Sequence, residues 1–204
     1  MGFDKLLANL SGKPVLQHSI EAFLFCHQVE QVILACPEER YQALDLSQAT
    51  KPIQRIDGGK DRHDSVAASL AAIPDGTNYI AVHDGARPLI SGKQIETVFQ
   101  TAIKHGAAAS ARPVTETIKR ASPTGVVSEA LNREHLWLME TPQLFRADLL
   151  LKAYEQVAKS GARVTDEVSA MELIGQPVHL TTNDSLNPKI TYPADIEQAQ
   201  KFLT

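Results

Sequence analysis

Apolar positions along this chain follow two periods in alternation. From Pro14 to Phe25 the residues Val15, Leu16, Ile20, Phe23 and Leu24 fall at helical spacing, and Pro14 suits a helix's first turn. Gln31 to Cys36 is a short apolar run that predicts a buried strand, and Pro37 to Leu44 a short helix. Pro52 to Ile56 reads as a second strand, ending at Asp57-Gly58-Gly59. Helical spacing resumes at Asp64-Ser65 with Val66, Leu70 and Ile73, and stops at Pro74-Asp75-Gly76. Tyr79 to Val82 is the next strand. Ser91 then stands where it would cap a helix carrying Ile95, Val98, Phe99 and Ile103.

Strand alternating with helix predicts an α/β, Rossmann-like fold: a mostly parallel sheet with helices on both faces. The pattern changes at Ala107. Short strand-like pieces follow at 107–114, 117–120, 126–128 and 136–138, with a turn at Pro123-Thr124-Gly125. This β-rich excursion, about 107–139, reads as an arm suited to packing on another subunit, closed by Pro142-Gln143. A helix from Arg146 to Ser160 follows, with Gly161 as its stop. Thr165-Asp166-Glu167 caps a further helix through Met171 and Ile174. Val178 to Thr181 and Lys189 to Thr191 read as short strands, and Ala194 to Phe202 as a final helix.

Composition narrows the picture. The 204 residues, 43% hydrophobic, fit a single domain spanning 1–204 with a full core. A net charge of -4 argues against a general nucleic-acid binder, so any grip on an anion must come from a few placed cations. Cys26 and Cys36 form neither a CxxC pair nor a metal cluster and read as buried, reduced thiols, which suits a cytoplasmic protein. No run approaches the roughly 18 apolar residues of a membrane span, and no signal peptide is visible.

Candidate chemistry lies just after the strands. In open α/β sheets, ligands bind beyond the carboxyl ends of the strands. Tyr79-Ile80-Ala81-Val82 runs into His83-Asp84-Gly85-Ala86-Arg87-Pro88, an acid followed by almost bare backbone and then a cation. That suits a metal–phosphate site, although Asp-Gly is also ordinary turn chemistry. Gly58-Gly59 through Asp64-Ser65-Val66 follows another strand and opens a helix, where glycines permit close approach and the helix terminus favours an anion. Arg133, Thr141, Thr165 and Lys189 are further candidates. Each also has a plain reading as surface charge, extended turn residue or helix cap.

Together these motifs resemble the 2-C-methyl-D-erythritol 4-phosphate cytidylyltransferases. The match runs in order through Met1-Gly2-Phe3-Asp4-Lys5, Gly12-Lys13-Pro14-Val15, Gly58-Gly59 to Val66, and His83 to Pro88. It continues through Pro113-Val114 with Thr117-Ile118-Lys119, Arg133 with Leu136-Trp137, Thr141 to Phe145, Thr165-Asp166-Glu167, and Asn187 to Thr191. The resemblance implies transfer of CMP from CTP to methylerythritol phosphate with release of pyrophosphate. It also implies a Mg²⁺ ion near Asp84 and a homodimer joined through the β-arm.

By the same resemblance Lys5 matches a transition-state-stabilising lysine near the α-phosphate. Gly59 and Ser65 match positions that hold cytosine and ribose, and Asp84, Gly85 and Ala86 match the nucleotide and metal side. Arg87 is expected to hold that loop or to contact the second substrate. Thr117, Arg133, Thr141, Thr165 and Lys189 match the methylerythritol phosphate side, with Arg133 reaching across the subunit interface. Arg133 and Lys189 position the attacking phosphate. A role for Asp184 on the metal side is left undecided by its spacing to Lys189.

Two departures stand out. Gly85 lies where the family often has alanine, a change expected to be harmless because small size is what the loop requires. The family also begins with a strand and an Ala-Ala-Gly loop ending in an arginine, ahead of the Met1-Gly2 pair. Without that phosphate loop the 204-residue form is expected to be inactive or poorly folded. Two other readings compete: a cytidylyltransferase for another polyol phosphate such as ribitol 5-phosphate, and a non-catalytic nucleotide-binding dimerisation protein. A glycosyltransferase is disfavoured because an Asp-x-Asp metal motif is lacking.

Overall fold

The computed structural model describes residues 4–183 and 185–203. The first third of the chain forms β1 (Asn9–Leu10), β2 (Lys13–Pro14), α1 (Val15–Leu24), β3 (Val32–Ala35), α2 (Glu38–Gln42) and β4 (Ile53–Ile56). Next come α3 (Arg62–Leu70), β5 (Tyr79–Val82), α4 (Gly92–His105) and β6 (Ala107–Pro113). The hairpin β7 (Ile118–Ala121) and β8 (Val127–Leu131) leads to the long strand β9 (Trp137–Arg146). The chain closes with α5 (Ala147–Ser160), α6 (Glu167–Glu172), β10 (His179–Thr182) and α7 (Pro193–Gln200).

The helix boundaries follow the capping residues. Ser91 Oγ accepts the Gln94 N–H at 3.3 Å while Gln94 Oε1 accepts the Ser91 N–H at 3.0 Å, a reciprocal cap that starts α4. Gly106 and Gly161 end α4 and α5 in the left-handed conformation, at φ 83° and 66°, which a side chain would resist.

Four strands form one sheet in the order β10-β6-β9-β5. β10 runs parallel to β6, whereas β9 is antiparallel to both of its neighbours, β6 and β5. β5, β6 and β10 therefore share one direction, and β9 alone opposes them. The alternation of side chains sends adjacent residues to opposite faces. Ile80, Val82, Ala107 and Phe145 join Val66 and Leu70 of α3 and the apolar faces of α5 and α6. Tyr79, Ala108 and Leu144 meet Val98, Phe99 and Ala102 of α4. Helices thus cover both faces, as the strand–helix alternation predicts.

β3 and β4 form a separate parallel pair that packs with α1 through Leu16, Ile20 and Leu24. Among the described residues β3 pairs only with β4, and β5 only with β9. Between β3 and β5 lies a cavity of about 1300 Å³, walled by α1 on one face and α3 on the other. The C-terminal end of β5 reaches the start of α3, just beyond β4, through the ion pair of Asp84 with Arg62. β3, β4 and β5 therefore direct their C-terminal ends to one rim.

Several expectations need adjustment. Residues 107–111 are core strand, with their side chains buried, so the excursion proper is the β7–β8 hairpin and its connections. Pro142-Gln143 does not close the excursion, because β9 runs on through both to Arg146 in the sheet. Lys189-Ile190-Thr191 is loop and not strand: its backbone joins the core through one bond, Ile190 N–H to Ala86 O at 2.8 Å. The β1–β2 pair has no counterpart among the sequence expectations, each strand being too short to show a period. Both cysteines are free and buried, as expected. Met1-Gly2-Phe3 and Asp184 lie outside the described residues.

Candidate active site

The loop after β5 is held from three directions. Thr141 Oγ1 on β9 accepts the Asp84 N–H at 3.0 Å and lies 3.1 Å from His83 Nδ1. His83 Nε2 lies 3.3 Å from Arg87 O, a carbonyl that can only accept. One assignment satisfies the set: Nε2 carries the proton and Nδ1 accepts from the threonine hydroxyl. Burial holds the His83 pKa down at about 4, so the ring is neutral at pH 7 and keeps this tautomer.

Arg87, on the same loop, is buried. It donates through Nη1 to Asn187 O at 2.7 Å and through Nη2 to Met139 O at 3.4 Å. Of its two expected roles, this geometry is that of the loop holder. Asn187 Nδ2 in turn donates to Thr141 O at 2.7 Å, tying the Lys189 loop to β9. Lys189 Nζ is thereby carried to 3.0 Å from Asp84 Oδ2.

Three cations surround one carboxylate. Arg62 Nε lies 3.1 Å from Asp84 Oδ1, and Arg87 Nε 3.5 Å from Oδ2 on the same side as Lys189. Burial alone would raise the Asp84 pKa, but Arg62, Lys189 and Arg87 together hold it well below the usual carboxylate range. Arg62 is also clamped bidentately by Glu167, at 2.7 and 2.9 Å. Burial opposes the charge on Arg62, yet Glu167 and Asp84 leave it more firmly protonated than a free guanidinium.

The glycine loop lies beside this cluster. Gly59 donates its N–H to Ser65 Oγ at 3.0 Å, and a Cβ at Gly59 would come within 2.1 Å of Asp64 Cβ. No side chain fits there, because Asp64 is fixed in the first turn of α3. Lys5, Ser65, Asp84, Gly85, Ala86 and Lys189 all line the cavity between β3 and β5. A rim of backbone N–H groups and cations around a cavity suits a phosphorylated ligand.

A family model for 2-C-methyl-D-erythritol 4-phosphate cytidylyltransferase matches residues 1–204. The chain belongs to this family. A cytidylyltransferase of that name from Pelotomaculum thermopropionicum is 38% identical over 204 residues, covering 98% of this chain and 86% of that protein. Among solved structures, the Francisella tularensis 2-C-methyl-D-erythritol 4-phosphate cytidylyltransferase superposes with a TM-score of 0.87 at 29% identity, covering 98% of this chain and 93% of that one. The enzyme from Thermus thermophilus gives 0.84 at 27% identity, over 98% and 93%.

Within this cytidylyltransferase scaffold the remaining candidates separate. Thr165 is exposed, and its hydroxyl meets Ser169 Oγ at 3.2 Å, while Asp166 is the residue that caps α6. Thr117 and Arg133 sit on the β7–β8 arm, exposed, with Arg133 bonded to Thr115 O. Neither lines the Asp84 cavity within one chain. Gly85 is tied to its neighbours more closely than small size alone implies: a Cβ there would approach Leu16 Cδ1 to 2.5 Å, and Leu16 is buried. A second acidic group, Asp61, His63 and Asp64, lies at the start of α3, but Asp64 Oδ2 is engaged by the Asp61 N–H at 3.0 Å as a helix cap.

Sequence reasoning places Glu167 and Asn187 within longer motifs but gives them no role. A helix-starting Glu and an Asn beside a proline are common helix-start and turn chemistry. Nothing local signals that they hold Arg62 and Thr141 from 105 and 46 residues away.

Proposed function

We propose that this chain joins the phosphate of 2-C-methyl-D-erythritol 4-phosphate to the α-phosphorus of CTP, giving 4-diphosphocytidyl-2-C-methyl-D-erythritol and pyrophosphate for isoprenoid synthesis. The observation that carries this reading is the convergence of Arg62, Arg87 and Lys189 on Asp84 beside the Gly59–Ser65 turn, in a member of this family. The nucleophile, a phosphate monoester, is largely ionised at pH 7, its second pKa being about 6. No general base is needed. The site's task is to hold two anions in line and neutralise developing charge.

The side chains fit that task by position. Gly59 and Ser65 face the nucleoside end, where only backbone and a hydroxyl allow close approach. Lys189, 42% exposed and paired with Asp84 by a single contact, is free to swing onto an incoming phosphate. Lys5 lines the same cavity and suits the α-phosphate. Thr141 and His83 keep the Asp84 backbone in place while this happens.

Mg²⁺ belongs to the same reading. Asp84 offers one carboxylate, only 11% exposed, and Glu167 is turned away onto Arg62. Both Asp84 oxygens are paired with cations, Oδ1 with Arg62 and Oδ2 with Lys189 and Arg87. Since Mg²⁺ retains waters and is held by one or two carboxylates together with substrate phosphates, an ion arriving on the triphosphate would take the oxygen from which Lys189 swings away. When bound it would neutralise phosphate charge.

Arg133 and Thr117 enter the reading through a homodimer. Val126, Val127, Leu136, Trp137 and Leu138 of the arm are exposed, and a two-stranded hairpin is marginal unless it is packed. A partner subunit covering that surface would bring Arg133 and Thr117 to the neighbouring site. A cytoplasmic location completes the reading; among the described residues no helix is long and apolar enough to cross a membrane.

The test is turnover with CTP, Mg²⁺ and methylerythritol phosphate, measured against ribitol 5-phosphate, for the 204-residue chain and for a version extended by the strand and Ala-Ala-Gly loop expected ahead of Met1. Pyrophosphate and the cytidine diphosphate product are expected from methylerythritol phosphate with the extended version, at a rate at least tenfold above that from ribitol 5-phosphate and above that of the 204-residue chain. Equal rates from the two substrates would overturn the substrate assignment.

A further inference from the structure

Glu167 is wholly buried, with 0% of its side chain exposed, yet it ends in a carboxylate. Each of its oxygens is used. Oε1 accepts from Arg62 Nη1 at 2.7 Å and from the Tyr154 hydroxyl at 3.1 Å, and Oε2 accepts from Arg62 Nη2 at 2.9 Å. Its backbone is pinned as well, since Gln143 Oε1 on β9 accepts the Glu167 N–H at 3.1 Å. The carboxylate is therefore fixed to α3 and α5, and the backbone that carries it, at the start of α6, to the sheet.

Stability alone does not account for this arrangement. A buried ion pair recovers little more than its own desolvation cost, and apolar residues of similar volume commonly serve as well or better. Arg62 also stands at the first position of α3, where the helix dipole disfavours a cation. Two unfavourable placements occur together. Their joint product is the direction of one group: with both terminal nitrogens locked on Glu167, the guanidinium fork presents Nε to Asp84 Oδ1.

We propose that Glu167 is a positioning residue for nucleotide binding, which holds Arg62 so that its Nε fixes the Asp84 carboxylate at the rim of the site. Arg62, 33% exposed, is the link that joins the two carboxylates. The proposal rests on the cytidylyltransferase reading of the Asp84 site, and it predicts that Glu167 acts through Arg62 and has no independent effect there.

Calorimetric titration of CTP with Mg²⁺ into the wild type, Glu167→Gln, Arg62→Gln and the double variant tests this, alongside steady-state kinetics. Each single variant is expected to weaken CTP binding about tenfold, with KM for methylerythritol phosphate within twofold of wild type. The double variant is expected to bind no more weakly than Arg62→Gln, because both changes remove one pathway. Effects that multiply in the double variant overturn the proposal, as does a Glu167→Gln protein that melts earlier but binds CTP like the wild type. Should Glu167→Gln fail to fold, Arg62→Gln decides, and undiminished affinity there overturns the proposal too. CTP binding by the wild type with no turnover even in the version extended by the expected phosphate loop fails the functional reading alone, whereas a wild type that binds no CTP in either version fails both.

Discussion

At the scale of single residues, this site depends on protonation states set by burial and by neighbouring charge. His83 is an instance. It is neutral in the fold, with its pKa lowered to about 4 by burial, against 6.5 for an exposed ring. Asp84, Arg87 and Arg62 are the charged groups around it, and they act in opposing senses. Between pH 6.5 and 4 the unfolded chain binds the extra proton, so this contribution to stability is complete above pH 6.5 and is lost as pH falls toward 4. The gap corresponds to about 3 kcal/mol. Urea denaturation of the wild type is expected to show this loss. A His83→Gln variant should start less stable at pH 7 and decline far less over the same range. Parallel decline in both proteins would assign the effect elsewhere.

At the scale of elements, most of the fold is legible in the chain, and the exceptions have physical causes. β5 matches its expected span of Tyr79 to Val82, and α4 begins at the Ser91 cap, because an apolar run and a capping box are local signals. β9 reads short in the sequence because a proline within a strand ordinarily marks its end or an edge. Here β9 lies between β6 and β5, and Pro142 is accommodated beside an irregularity, the register shifting between Ala109 and Ala111 of β6. The Lys189 segment resembles a strand through Ile190, but one buried apolar residue does not establish a period. In the site, the strand-end loops are legible, while the Arg62–Glu167 pair is not, since nothing local encodes a contact over 105 residues. The β7–β8 hairpin carries the dimer expectation. Val127→Lys, on its exposed face, should shift sedimentation from dimer to monomer and lower turnover as the partner's Arg133 is withdrawn. A dimer that survives this change places the interface elsewhere.

At the scale of the whole molecule, the strands that share a rim do not share a sheet. β3 and β4 lean on α1, β5 belongs to the larger sheet, and the cavity of about 1300 Å³ separates them. The helices bridge that gap. α3, which follows β4, sets Val66 and Leu70 into the core of the larger sheet, and α1 sets Phe23 against Ile90 and Ile95 and donates from Ser19 Oγ to Gly85 O at 3.0 Å. Arg62, at the start of α3, adds its bond to Asp84 at the rim. A nucleotide held by the Gly59–Ser65 turn and the Asp84 loop therefore rests on two segments that α3 already joins. Amide hydrogen exchange should slow on addition of CTP at residues 58–66 and 84–87, by more than along β6 or β9. Equal slowing in all of these segments would place the CTP site elsewhere. α3 is thus the strut of the molecule: the turn at its start can move only as far as the core around its middle allows.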